Sequence, residues 1–199
     1  MQVAGPSSDD EMVACFLRGE LVSPRFGARL HDALRAAGLP EQLVVEPDLE
    51  DADANAARRD LLGDTRGYGR GVELFDESFP SVVTWVRAVL TSEELAGVRY
   101  MDYPYWNELS GGSRLPMDAA TRIRAGVRAY DVPNERFEHA AMLVADGRTL
   151  PPLILVGVGY RLLVCLEGHL RLTAYALAGF PRPVTCLVGT APSMHRWAH

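Results

Sequence analysis

The chain contains no lysine; all 20 of its basic residues are arginine. That absence removes a Walker-type GK[ST] phosphate loop, a lysine Schiff base and a kinase-style strand lysine. Cysteine is scarce too: three residues, an odd number with no close pair, do not make a disulfide framework. Long apolar runs are missing. The longest, Leu150 to Leu166, is broken by Pro151, Pro152, Gly157, Gly159 and Arg161, so no membrane partner is expected. Residues 1–11 are polar and acidic, without the basic and apolar regions of a secretion signal, which makes a cytoplasmic location the expectation. No G-x-S-x-G nucleophile signature occurs.

What is present is ordinary globular composition, 48% hydrophobic and 23% charged over 199 residues. That length suits one substantial core, or a small domain with an extension. Charge is unevenly spread. Residues 1–111 hold 10 Arg against 20 Asp or Glu, net −10, whereas residues 112–199 hold 10 against 6, net +4. An anionic ligand is therefore expected in the second half. The sequence pI near 5.4 argues against broad nucleic-acid binding.

Patterning predicts a mainly helical extension over 1–96 and a small α/β (α+β) mixed-sheet domain over 97–199. In the extension, Asp9 or Asp10 caps a first helix, and Ser23-Pro24 opens a second that stops at Gly38. Leu43-Val44-Val45 reads as a short strand and 46–53 as an acidic linker or helix start. Residues 53–62 look helical, 66–71 form a glycine-rich loop, and 81–90 are expected to be helical, followed by a capping box at Thr91-Ser92-Glu93-Glu94. Beyond it, Val98 to Tyr103 alternates like a strand and 105–114 reads as a loop. Helices are expected at 118–129 and 134–145, strands at 153–157 and 161–166, a helix near 169–178 with Gly179 as its C-cap, and a strand at 183–188.

The densest chemistry falls at Glu167-Gly168-His169-Leu170-Arg171, between an apolar strand and the helix former Leu172-Thr-Ala-Tyr-Ala-Leu177. A helix N-terminus offers free N–H groups and partial positive charge. Glycine there admits a bulky anion, and an arginine one turn in adds a donor fork. This describes a phosphate site built without lysine. It equally describes a tight strand–helix turn with a solvated arginine.

Strand–[DE]-G-H-x-R–helix followed by a glycine and a strand resembles the ParB/sulfiredoxin superfamily. The upstream Arg136-Phe137-Glu138-His139-Ala140, Asp146-Gly147 and Pro151-Pro152-Leu153-Ile154-Leu155-Val156 are similar to the helix, glycine and strand preceding its loop. The resemblance covers roughly residues 97–189. His169 stands where sulfiredoxins carry a reactive cysteine, and Cys165 reads as a buried filler. The Glu-Arg-Arg of ParB and its downstream helix-turn-helix are absent. The loop is closest to the Asp-Gly-His-His-Arg of the free serine kinases, with Leu170 replacing a polar residue.

That resemblance implies an ATP- or ADP-binding protein that transfers a phosphoryl group to a small hydroxylated metabolite. Gly168, His169 and Arg171 would hold phosphate oxygens, with Glu167 facing Mg²⁺ or His169, and Thr173 adding a hydroxyl. Glu108 would be the base or substrate-orienting group, or else a surface carboxylate. Ser110-Gly111-Gly112-Ser113-Arg114 would close over substrate through Ser110 and Arg114, or be a connector. The helical extension would serve substrate specificity or a homodimer contact. Two alternatives remain: a non-catalytic nucleotide-binding switch, and a ParB-like regulatory or DNA-associated protein. The aromatic cluster Tyr100, Tyr103, Tyr105 and Trp106 reads as core filling or as a stacking surface. The loop at 66–70 is a weaker acceptor-pocket candidate. His195 and His199, spaced i,i+4 without a third ligand, are expected to be functionless, and His31 and His139 to be packing or surface residues.

Overall fold

The structure is a computed structural model that describes residues 1–23 and 25–197, the side chains of 195–197 excepted. The fold is α/β, as expected from the sequence. Residues 1–6 with 86–199 form one compact unit, and residues 7–85 form a second. Strands from both sides of residue 97 enter one five-stranded sheet, β1 (Gln2–Pro6), β2 (Thr84–Leu90), β3 (Leu153–Gly157), β4 (Val164–Glu167) and β5 (Val184–Thr190), in the order β1-β2-β5-β3-β4.

The unit of residues 7–85 is a helical cluster. Helix α1 (Asp9–Leu21) is capped by Ser8, not by Asp9 or Asp10; those two acids occupy its first turn, where they favour the helix dipole. Helix α2 (Gly27–Ala37) ends at left-handed Gly38. Helix α4 (Ala52–Arg66) is capped by Asp51, which accepts the Ala54 N–H at 2.9 Å, and ends at Gly67. A Cβ on Gly67 would lie 1.9 Å from the Val72 carbonyl, so no other residue fits. The expected strand at 43–45 is instead the short helix α3 (Gln42–Val45). Only Val44 of it is buried, and it pairs with no strand among the described residues. Met12, Phe16, Leu17, Leu30, Leu61 and Leu62 fill this unit's core.

In the other unit, strand β1 (Gln2–Pro6) pairs antiparallel with β2 (Thr84–Leu90). The expected helix at 81–90 is thereby corrected. Thr84, Val86 and Val89 are β-branched, and burial falls on Trp85, Ala88 and Leu90 while Arg87 faces solvent. The capping box at Thr91 is present and opens helix α5 (Ser92–Ala96). The expected strand at 98–103 reduces to one residue: Arg99 bridges β4, donating to Leu163 O at 2.9 Å and accepting from Cys165 N at 2.8 Å.

The expected loop at 105–114 is mostly helix α6 (Pro104–Ser110), with Pro at its start and left-handed Gly111 at its end. Helix α7 (Pro116–Arg124) stops short of 129 because Gly126 turns left-handed and Val127 N bonds back to Arg122 O. Helix α8 (Glu135–Ala145) matches expectation.

Strand β3 (Leu153–Gly157) is buried at every position, as a strand paired on both edges requires. It runs parallel to β5 (Val184–Thr190) and antiparallel to β4 (Val164–Glu167). Helix α9 (His169–Leu177) links β4 to β5 and packs against α7 and α8. Gly179 follows it at φ 76°, where Phe180 N bonds Tyr175 O and Gly179 N bonds Ala176 O, a Schellman ending. Strand, glycine and helix thus put residues 167–171 at the end of a strand buried over Val164, Cys165 and Leu166. None of the helices among the described residues is long and apolar enough to cross a membrane.

Candidate functional site

The β4–α9 junction turns on Gly168, whose φ of 102° disfavours any residue with a Cβ. There is a second reason for glycine. A Cβ there would lie 2.7 Å from Leu153 Cδ2, and 2.8 and 3.1 Å from Nη2 and Nε of Arg171. The Arg171 guanidinium therefore lies against the bare Gly168 backbone. Helix α9 has no side-chain cap, so its first-turn N–H groups carry the helix's positive end.

Arg171 is 9% exposed. Its Nη2 donates to Pro152 O at 3.2 Å and stands 3.5 Å from Glu167 Oε1. Its Nε is buried without an acceptor. The guanidinium is thus held in place by long contacts, with donor capacity to spare.

His169 is half-buried within a rack of near-parallel rings. Its imidazole stacks on Trp106 at 4.9 Å and 15°, and Tyr100 lies 4.8 Å from Trp106. Sequence reading left that aromatic cluster open between core and stacking surface. The structure splits it: Tyr100 is fully buried, while Tyr103 is exposed and Tyr105 and Trp106 are partly so. Burial pushes the Tyr100 phenol well above its ordinary value, against the Thr173 hydrogen bond, which acts to lower it.

Three expected ligand contacts are spent elsewhere. Thr173 is fully buried, and its hydroxyl is shared between His169 O at 2.8 Å and the Tyr100 hydroxyl at 2.7 Å. Ser110 is buried, donates to Trp106 O at 2.7 Å and accepts from Arg114 N at 2.9 Å. Arg114 is 7% exposed, and its Nε donates to Tyr100 O at 2.9 Å. Its left-handed φ of 62° and its backbone bond from Tyr100 N tie the 111–114 turn to the 98–103 segment. Desolvation holds the Arg114 guanidinium below its ordinary value. Ser110 and Arg114 are thus tied into the fold.

Glu108 is exposed on α6, where its Oε1 accepts the Tyr130 N–H at 3.2 Å. It is two positions from Trp106, so the two side chains leave the helix on nearly opposite sides. Trp106 faces His169; Glu108 faces the 129–131 turn.

Other candidates resolve by partner. Arg66 pairs with Glu20 at 2.7 Å and lies over the Phe26 ring, and Arg70 pairs with Asp64 at 2.6 Å. His31 stands 3.6 Å from Glu41, and His139 is exposed. The His195 side chain and His199 lie outside the described residues. Cys165 is fully buried on β4, and burial drives its thiol well above the ordinary value, which disfavours a thiolate there. Among the described residues no three His, Cys, Asp or Glu side chains are grouped to hold a metal. The junction itself carries one carboxylate, Glu167, which is half-buried.

Sequence reading missed two residues at this end of the unit. Tyr130 sits in a left-handed turn, which no local glycine signal announced. Arg136 donates to the Tyr105 hydroxyl at 3.0 Å, a contact made across 31 residues. No protein family, curated protein or solved structure was found that matches the chain.

Proposed function

We propose that this chain binds a nucleotide, ATP or ADP with its Mg²⁺, by its phosphates at the N-terminus of α9. The observation that carries this reading is Arg171, a buried residue whose guanidinium is set against Gly168 beside a helix start without a side-chain cap. Helix N–H groups and a preorganised arginine fork are complementary to phosphate oxygens. The net positive charge of residues 112–199 favours the same half of the chain. The likeness of the junction to the ParB/sulfiredoxin phosphate loop points the same way.

Between transfer and simple binding, the position of Glu108 favours binding. Phosphoryl transfer to a small hydroxylated metabolite needs a group to orient the acceptor hydroxyl. Glu108, the residue offered for that role, is committed to the Tyr130 N–H. Calorimetric titration with Mg·ATP, Mg·ADP and Mg·tripolyphosphate tests the binding claim. All three should bind, and Arg171→Met should weaken each by about tenfold or more, the scale of a charge-assisted hydrogen bond. Unchanged affinity in that variant removes the phosphate site. Incubation with Mg·ATP and a metabolite pool should leave the γ-phosphate in place; its appearance on an acceptor would restore the kinase reading.

A further inference from the structure

Tyr130 and Asp131 are consecutive non-glycine residues with left-handed φ, 51° and 56°. Bulky side chains rarely adopt that conformation, and it persists where the surroundings hold it. Here the Glu108 carboxylate accepts the Tyr130 N–H, and Val132 N closes the turn on Ala129 O at 3.0 Å. The strained residue is not buried in return. Tyr130 is 58% exposed, so core filling does not explain why the turn is held.

The exposed ring has a partner of matching orientation. Tyr130 and Tyr105 lie 25° apart in plane with centroids separated by 6.5 Å, wider than the 4.9 Å of the Trp106–His169 stack. Tyr105 is fixed by Arg136, whose Nη2 donates to its hydroxyl and whose guanidinium carbon stands 5.6 Å from its ring centroid. Tyr105 also meets Trp106 edge-on at 4.9 Å, and Trp106 stacks on His169. An aromatic path therefore starts at the first residue of α9 and ends on a ring held out into solvent.

We infer that Tyr105 and Tyr130 form the platform for the planar base of the nucleotide, with Glu108 as a positioning residue that holds the Tyr130 turn. The inference rests on the phosphate reading at α9. Every base offers a π-face, so the platform recognises a flat ring rather than a hydrogen-bonding edge, and Arg136 adds cationic character beside it. Purine nucleotides, with the larger face, should bind alike and more tightly than pyrimidine ones.

Calorimetry on the full chain separates base from phosphate by comparing Mg·ATP with Mg·tripolyphosphate. The wild type should bind ATP the more tightly. Tyr130→Ala should weaken ATP about tenfold, in line with base–aromatic stacking, and leave tripolyphosphate unchanged. Tyr130→Phe, which keeps the ring, should retain wild-type affinity. Glu108→Gln keeps an acceptor for Tyr130 N and should be silent, whereas Glu108→Ala should repeat part of the Tyr130→Ala loss for ATP only. ATP binding no tighter than tripolyphosphate overturns the platform while leaving the phosphate site standing, as does a Tyr130→Ala variant that loses both ligands equally or neither. Adenosine binding that depends on Tyr130, with no tripolyphosphate binding, supports the platform and removes the phosphate site. If ATP, tripolyphosphate and adenosine all fail to bind, both claims fall.

Discussion

Arg58 in the helical unit and Arg171 at the β4–α9 junction are both buried arginines, 1% and 9% exposed. Both keep an Nε without an acceptor, so that feature alone does not single out a binding site. Their remaining donors differ. Arg58 gives Nη1 to Leu43 O at 3.0 Å, and Nη2 to Asp48 O at 2.6 Å and to the Asn55 side chain. It stitches α3 and the 46–51 linker to α4, and desolvation holds its guanidinium below the ordinary value despite Asp10, Asp51 and Asp48. Arg171 makes two contacts of 3.2 and 3.5 Å, both through Nη2, and it lies at a helix end that has no cap. Burial of an arginine marks a structural bolt when its donors are consumed by its own unit. It marks a candidate site when they are not.

The same substitution at the two positions should break that comparison if it is wrong. Arg58→Met removes three donated bonds and leaves Leu43 O, Asp48 O and Asn55 Oδ1 without that donor. We expect a loss of about 3 kcal/mol in urea unfolding, with tripolyphosphate affinity unchanged. Gly168→Ala comes next, at about 2 kcal/mol, because it combines a left-handed φ with a Cβ driven into Leu153 and Arg171. Unlike Gly67→Ala in the helical unit, it should also displace the guanidinium and abolish tripolyphosphate binding. Arg171→Met should be the mirror of Arg58→Met: less than about 1 kcal/mol in unfolding, but about tenfold in tripolyphosphate affinity. A large stability loss at Arg171 with no change in binding would make the two arginines alike.

How much of this was legible follows the range of the interactions involved. The junction was readable because its signals are local: an apolar run, a glycine, then helix formers, with the whole turn inside about a dozen residues. The same holds for the Thr91 capping box and the Schellman glycine at 179. Strand β2 was misread because its partner, β1, lies some 80 residues away in a short stretch ending in Gly5 and Pro6, which announces no strand. Helix α6 carried a readable start and stop, Pro104 and Gly111, yet its aromatic residues and the double glycine pointed to a loop. The commitment of Thr173, Ser110 and Arg114 to the fold was not legible at all. Each bonds within four residues, Thr173 and Arg114 also bond Tyr100, which is distant in sequence, and only folding discloses that second partner.

Tyr100 joins these two kinds of feature, and it supplies the smallest expected effect. Its hydroxyl meets Thr173, and its ring backs the Trp106–His169 stack from the core side. Burial raises its folded-state pKa above the ordinary value of 10.0. A raised pKa means that the folded state holds the phenolic proton more tightly than the unfolded chain does. The resulting stability is fully present below pH 10 and drains away as pH climbs from there toward the folded value. Tyr100→Phe deletes this ionisation together with one buried hydrogen bond, costing about 1 kcal/mol at neutral pH while Thr173 keeps its bond to His169 O. Above about pH 10 the variant should lose stability less steeply than the wild type, the remaining slope coming from Tyr68, Tyr175 and Cys165, whose groups burial also raises. Unfolding curves collected from pH 8 upward would read this directly. Parallel slopes for the two proteins would mean that Tyr100 is reached by solvent. The aromatic rack behind the proposed phosphate site would then be as open as the Tyr130 ring at its far end.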